Sequence, residues 1–158
     1  MPQISPGNIL NNVLKGKLGV ASVWDTNPTN LINMTDGNVT TVTGTGTKVI
    51  IAAGDIGIVT FDLGSIKTVM VGARVGLWRS AGTIYIGVEV SDDNINWIVY
   101  MIVTVGSYSQ AASTAAESVR QLLTTIVTGR YVRMRAYLNG AGTGNVKFYE
   151  VMAWELTI

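Results

Sequence analysis

Of the side chains that most often perform chemistry, this chain holds few. It has no cysteine and no histidine. That removes thiolate nucleophiles, disulfides and thiolate metal sites, together with the commonest general base and transition-metal ligand. Catalysis would need a carboxylate pair or a Ser-Lys arrangement. The ten acidic residues are scattered, and the adjacent pair Asp92-Asp93 sits in the run Ser91-Asp92-Asp93-Asn94, whose residues favour tight turns. No enzyme is expected. Arg133 and Arg135 are alternate residues, which share one face of a strand, with Arg130 and Lys147 the other candidates for a basic group. They could form a patch for anionic lipid or nucleic acid. Pairing with Glu155, Glu89 or Asp62 across a sheet is the preferred expectation. The net charge of +1 indicates no broad attraction to nucleic acid, so none is expected as a partner.

The elements that must position these residues read as strands. In 84–90, Ile84, Ile86, Val88 and Val90 alternate with Tyr85, Gly87 and Glu89, the period of two of a half-buried strand. After the Ser91–Asn94 turn, Trp97, Val99, Met101, Val103 and Val105 alternate again, which predicts a central hairpin over 83–105. Further strands are expected over 18–24, 48–53, 56–63 and 68–78. Three more are expected over 118–125, 130–138 and 146–156. In the last, Phe148, Glu150, Met152, Trp154 and Leu156 fall on one side. Ala111–Leu123 could form a helix, since alanine favours it, but its β surroundings predict a loop and then a strand. Trp97 and Trp154 are expected in the core. About nine strands with turn signals between them predict an all-β antiparallel sandwich.

Length and composition fit one domain of 158 residues, divided here into an N-terminal arm, 1–17, and a sandwich, 18–158. The arm is expected to pack across the sandwich or against a neighbouring subunit. Charged residues make up only 13% of the chain, about half the usual ~25%, and mean hydropathy is +0.34. No apolar run reaches the ~18–20 residues of a membrane span, so a membrane partner is not expected. The excess hydrophobicity is expected in strands buried on both faces or in subunit contacts. The start of the chain lacks the basic and apolar regions of a signal peptide.

Five segments in order, NLINMTDGN, IVTFDLGSIKTV, IYIGVEVSDDNINW, GRYVRMRAY and VKFYEVMAWEL, resemble the discoidin domain, also called the coagulation factor type C domain. Its most specific pieces here are Asp62-Leu63-Gly64 and Ser91-Asp92-Asp93 with Trp97. The resemblance covers roughly residues 8–158. It implies a galactose-binding-like, discoidin-type β-sandwich of jelly-roll topology, a group that includes many bacterial carbohydrate-binding modules. The cysteine pair of animal members is absent, which points to a prokaryotic or viral type. The tryptophan that often follows the Asp-Gly loop is replaced by Val42-Thr43-Gly44-Thr45-Gly46.

The resemblance also implies sites. In the family, the loop matching Asn33, Asp36, Asn38 and Thr41, closed by Tyr149 and Glu150, commonly holds Ca²⁺. Asp36 and Glu150 would give carboxylates, Asn38 an amide oxygen and Thr41 a hydroxyl and a carbonyl. Asn33 and Tyr149 would give backbone carbonyls. The alternative is that Asp36-Gly37 is only a good turn. Family sugar sites lie on loops at one end of the sandwich, and the matching loops carry Trp24, Asp25 and Asn27, and Trp78 with Arg79. The alternative is that Trp78 caps the core and Arg79 is solvated.

The functional expectation is a non-catalytic discoidin-like module. Its concrete version is a structural and adhesive component of a surface assembly, such as a phage or virus coat, tail or decoration protein, with possible binding of cell-surface glycan. The expected partners are copies of itself or other virion proteins, and the expected location is the virion or cell exterior. The alternative is a carbohydrate-binding module from a larger secreted glycan-active enzyme.

Overall fold

The structure, a computed structural model, describes residues 9–23, 30–37, 46–50, 54–79, 82–105, 118–121, 125–140 and 142–156. Among them are nine strands and one short 3-10 helix, Leu31–Met34. The strands are β1 (Ile9–Asn12), β2 (Val20–Ser22), β3 (Gly46–Ile50), β4 (Gly54–Arg79), β5 (Thr83–Ser91), β6 (Ile98–Val105), β7 (Ser118–Gln121), β8 (Thr125–Asn139) and β9 (Gly142–Leu156). Every pairing is antiparallel. The all-β sandwich expected from the alternation is the fold found.

β4 organises the two layers. Its first part pairs with Leu138 to Tyr131 of β8, and its second, from Lys67, with Gly129 to Thr125 of β8 and with β9. Between them the register breaks at Leu63-Gly64-Ser65-Ile66. Gly64 adopts φ +89, a left-handed conformation that glycine takes without a Cβ penalty, and donates its N–H to Asp62 Oδ1 at 2.7 Å. One layer is therefore β2, the first part of β4, the second part of β8, β5 and β6. The other holds the second part of β4, flanked by β7 and the start of β8 on one side and by β9 with β1 and β3 on the other.

Alternate residues of both layers meet in one core. Val59 and Phe61 of β4, Ile84 to Val90 of β5 and Val132 to Leu138 of β8 face Val69 to Val75 of β4 and Val146, Phe148, Val151 and Ala153 of β9. Each fully buried aliphatic or aromatic side chain contributes about 1.5–3 kcal/mol by leaving water.

Several boundaries differ from those expected. The segments 56–63 and 68–78 are one bent strand, and 118–125 divides between β7 and the start of β8. The strand expected over 18–24 shortens to Val20–Ser22, because Val23 takes φ +65, which a β-branched residue rarely adopts within a strand. Residues 111–117, the possible helix, lie outside the described residues. The boundary after Lys17 falls inside the packed unit: β1 pairs with β9, and Leu14 is fully buried in the core. Asn12 Oδ1 ties this edge down by accepting from the N–H groups of Leu14 and Ala153, both at 3.1 Å.

Two bulges change which side chains share a face. On β9, Arg74 pairs with Glu150 but Val75 with Phe148, so Tyr149 is an extra residue. The alternation slips there. Val151 and Ala153 enter the core, whereas Met152 and Trp154 stay half-buried. On β6, Val88 pairs with Met101 but Glu89 with Val99, so Tyr100 is extra. Val99 is turned to the outer face and is 50% exposed, and Trp97 is half-buried rather than core.

Candidate functional site

The expected metal loop is partly described. The 3-10 helix ends at Met34, which is buried beside Thr35. Thr35 Oγ1 donates to Lys17 O at 2.6 Å, and Thr35 O accepts from Gly16 N–H at 2.7 Å. These bonds tie the loop to the turn at Gly16-Lys17, and the next two residues, Asp36 and Gly37, lie beside Glu150 of β9. Gly37 has φ +83, so the chain curls sharply at the point where its oxygens could converge. Asn33 donates its backbone N–H to Asn30 O at 2.9 Å within the helical turn. Asn38 and Thr41 lie outside the described residues.

Facing this loop is Glu150, next to the Tyr149 bulge, whose ring lies 5.6 Å below the Arg74 guanidinium. Glu150 is 1% exposed, and neither carboxylate oxygen makes a well-formed hydrogen bond among the described residues, although the Gly37 amide and the Asp36 carboxyl lie close to it. Burial, then the charge of Asp36, pushes its pKa from 4.5 up to about 7; the Gly37 amide and Lys15 pull against that rise. A buried carboxylate left in this state is costly unless it is protonated or meets a cation. The chemistry of the donor set therefore fits an oxygen-liganded cation such as Ca²⁺. Among the described residues no group of three or more acidic, histidine or cysteine side chains gathers. A cation here would complete its shell from amide, carbonyl and hydroxyl oxygens.

Of the expected sugar-binding residues, Trp24, Asp25 and Asn27 lie outside the described residues. Trp78 and Arg79 were expected on a loop. They are instead the last residues of β4, paired with Asn145 and Gly144 of β9.

The arginines resolve into pairs. Arg130 forks onto Asp62 at 3.0 and 2.9 Å, and this contact, with the Gly64 amide, holds the Asp62 carboxyl down to about 2. Lys67 pairs with Glu155 at 2.8 Å. Arg133 Nε and Arg135 Nη1 both donate to Glu89, the second at 3.2 Å, and Glu89 is only 2% exposed. Arg133 also stacks on Trp97, 4.0 Å from the ring centre. Asp92-Asp93 is a turn: Asp93 Oδ1 accepts from the N–H groups of Ile95 and Asn96, both at 2.8 Å, which holds its carboxyl well below the usual range.

The Glu89 triad separates two grooves on the outer face of the β5–β8 layer. One, about 410 Å³, is lined by Tyr85, Gly87, Glu89, Val99, Arg135, Tyr137 and Asn139. The other, about 310 Å³, lies between β2 and Trp97, with Tyr131 and Arg133 in its wall. Sequence reading placed Tyr85, Gly87 and Glu89 on one face and gave only Glu89 a role, as a partner of the arginines. The signal was there: a glycine interrupting an otherwise well-formed central strand is often a place where something approaches the backbone closely.

No family model matches the sequence, and no relative is found among curated proteins. Solved structures do match. A CBM32 module of a family 31 glycoside hydrolase from Clostridium perfringens superposes with TM-score 0.57 at 14% identity, covering 96% of each chain. The chain has the galactose-binding-like, discoidin-type fold. The CBM32 module of AlyQ, in complex with 4,5-unsaturated mannuronic acid, matches at TM-score 0.50 and 23% identity over 92% of this chain and 96% of that one. Truncated AlyQ, which carries CBM32 and alginate lyase domains, matches at 0.53 and 20% identity over 95% of this chain and 34% of that one.

Proposed function

We propose that this chain is a non-catalytic carbohydrate-binding module. The observation that carries the reading is its end-to-end correspondence with a single CBM32 module, 96% of each chain. The glycan is assigned to the end of the sandwich where Trp78 and Arg79 close β4, with Trp24, Asp25 and Asn27, which come shortly after β2 in the sequence, as the further candidates. Aromatic rings stack on the apolar face of a pyranose, and arginine holds its hydroxyls. The test is a glycan array probed with the full chain, followed by calorimetry. Trp78→Ala with Arg79→Ala is expected to weaken binding by tenfold or more, roughly the loss of one anchor of ~2 kcal/mol. Unchanged binding in the folded double variant moves the site elsewhere.

Ca²⁺ is proposed as a structural ion held by Asp36 and Glu150, with Asn33, Asn38, Thr41 and Tyr149 as further oxygen donors. Glu150, buried and without a well-formed hydrogen bond among the described residues, supports it. The ion supplies positive charge to two carboxylates and ties the Asp36 loop to β9.

A second reading, in which the module also serves as a subunit of a virion or other surface assembly, is favoured by its apolar surface. Ile95 is 78% exposed, and Ile98, Val99 and Tyr100 of edge strand β6 are 61%, 50% and 44% exposed. Edge strands with apolar side chains invite pairing with another chain. Light scattering coupled to size-exclusion chromatography tests this: a monodisperse monomer at high concentration removes the assembly reading and leaves the binding module.

A further inference from the structure

The groove between Tyr85 and Glu89 lies on the outer sheet face and is used by neither the loop-end site nor the metal corner. Its volume of about 410 Å³ falls within the ~300–1,000 Å³ typical of small-molecule sites. Tyr85 and Tyr137 are direct cross-strand partners in the middle of the groove, with ring centres 6.2 Å apart and planes tilted by 50°. Beside them Gly87 pairs with Arg135 on one side and Ile102 on the other, in a central strand with ordinary extended backbone. No turn or left-handed conformation explains a glycine there. What it does is remove a side chain from the outer face of the strand between Tyr85 and Glu89, which gives the groove its floor. Planar polar groups flank the tyrosine pair: Arg135, opposite Gly87, and Glu89 beyond it lie on one side, and Asn139, two residues past Tyr137 on β8, lies on the other.

We propose that this groove is a second saccharide site, which takes a pyranoside ring with its C–H face against the Tyr85–Tyr137 pair. Its hydroxyls lie along Arg135 and Asn139. The chemistry identifies the ligand class. A pyranose ring is apolar on its faces and ringed by hydroxyls, so it needs an aromatic plate next to fixed planar donors and acceptors. Arg133 and Arg135 are already tied to Glu89, so the Glu89–Arg135 side of the groove is pre-ordered. Pre-ordering lowers the entropy cost of binding. Gly87 admits the ring close to the sheet. The inference rests on the reading of the chain as a saccharide binder, but not on the loop-end site.

The experiment is calorimetric titration of the full chain with methyl glycosides of glucose, galactose, mannose and N-acetylglucosamine and with their linear oligosaccharides. Four proteins are compared: the parent, Trp78→Ala/Arg79→Ala, that variant with Tyr85→Ala/Tyr137→Ala added, and that variant with Asn139→Ala added. The expected result is that the loop variant still binds at least one probe. The two tyrosine changes should then weaken it by about tenfold or more, and Asn139→Ala by a few-fold. If the loop variant binds nothing while the parent binds, the groove is not a site and the loop-end reading stands alone. If the parent binds none of the probes, both fall. Should the tyrosine variant misfold, Asn139→Ala decides, because Asn139 is exposed at the end of β8; unchanged affinity there overturns the proposal.

Discussion

Glu89 and Glu150 are both buried carboxylates on strands of the same sandwich, 2% and 1% exposed. Their surroundings are opposite. Glu89 accepts from two guanidiniums delivered by one neighbouring strand. Glu150 faces another carboxylate and makes no well-formed hydrogen bond among the described residues. The difference teaches that burial alone does not define a site. Where the protein supplies the countercharge, the carboxylate is structural. Where it does not, a proton or an ion from solution must, and the position becomes responsive to its medium.

The largest effect is expected from breaking the satisfied side. Arg133→Ala removes one partner of a buried carboxylate and the Trp97 stack, and should cost about 3 kcal/mol, read as a lower midpoint in urea at unchanged slope. A loss under ~1 kcal/mol would make Glu89 no better satisfied than Glu150 and dissolve the contrast.

The next effect belongs to Glu150 and depends on pH. Its folded pKa of about 7 stands above its ordinary 4.5. Between those values the folded chain holds a proton that the unfolded chain has released. Metal-free stability should therefore fall as pH rises from about 4.5 to 7, by up to ~3 kcal/mol, and then level off. Glu150→Gln should flatten that slope in chemical unfolding measured across the range. A slope that survives the substitution would assign it to other groups.

Calcium sharpens the same point. Saturating Ca²⁺ should raise the melting temperature at pH 7.5 by several degrees, as expected for ~2.7 kcal/mol at a hundredfold excess over the dissociation constant. Asp36→Ala should abolish the rise. If the demetallated parent melts alike with and without calcium, Asp36-Gly37 is a turn only.

The smallest effect is at the surface pair. Asp62 and Arg130 are 44% and 42% exposed, so Arg130→Ala should cost the least stability of these changes despite the forked geometry. Because the Asp62 pKa is depressed, its contribution is present above pH 3.8 and lost as pH falls through about 2. Acid unfolding of Arg130→Ala compared with the parent checks the sign.

What could be read from the sequence was whatever repeats at period two. β5 and β8 alternate without interruption through Ile84–Val90 and Val132–Leu138, and both match the structure. β9 was misread from Glu150 onward because one extra residue at Tyr149 slips the faces, and a bulge leaves no mark in composition. β1 was missed because Ile9-Leu10-Asn11-Asn12 is short and half polar; its stability comes from β9, at the far end of the chain. The burial of Glu89 was equally hidden, since its arginines are 44 and 46 residues away. At the corner proposed to hold the ion, Asp36, Gly37 and Glu150 could be named from the resemblance, but the burial of Glu150 beside Asp36 is visible only once the layers are packed.

The bend in β4 has a consequence for how the chain acquires its shape during synthesis. Almost all of β4's partners, β7, β8 and β9, are made after it, beginning at Ser118. Among the described residues, a nascent chain ending near Val105 therefore holds the β5–β6 hairpin as its one large pairing, while both halves of β4 wait with their inner faces exposed. Long-range pairing of this kind is slow and aggregation-prone. Ribosome-stalled chains should resist protease only once β9 has cleared the exit tunnel, so the sandwich closes in one late step rather than layer by layer.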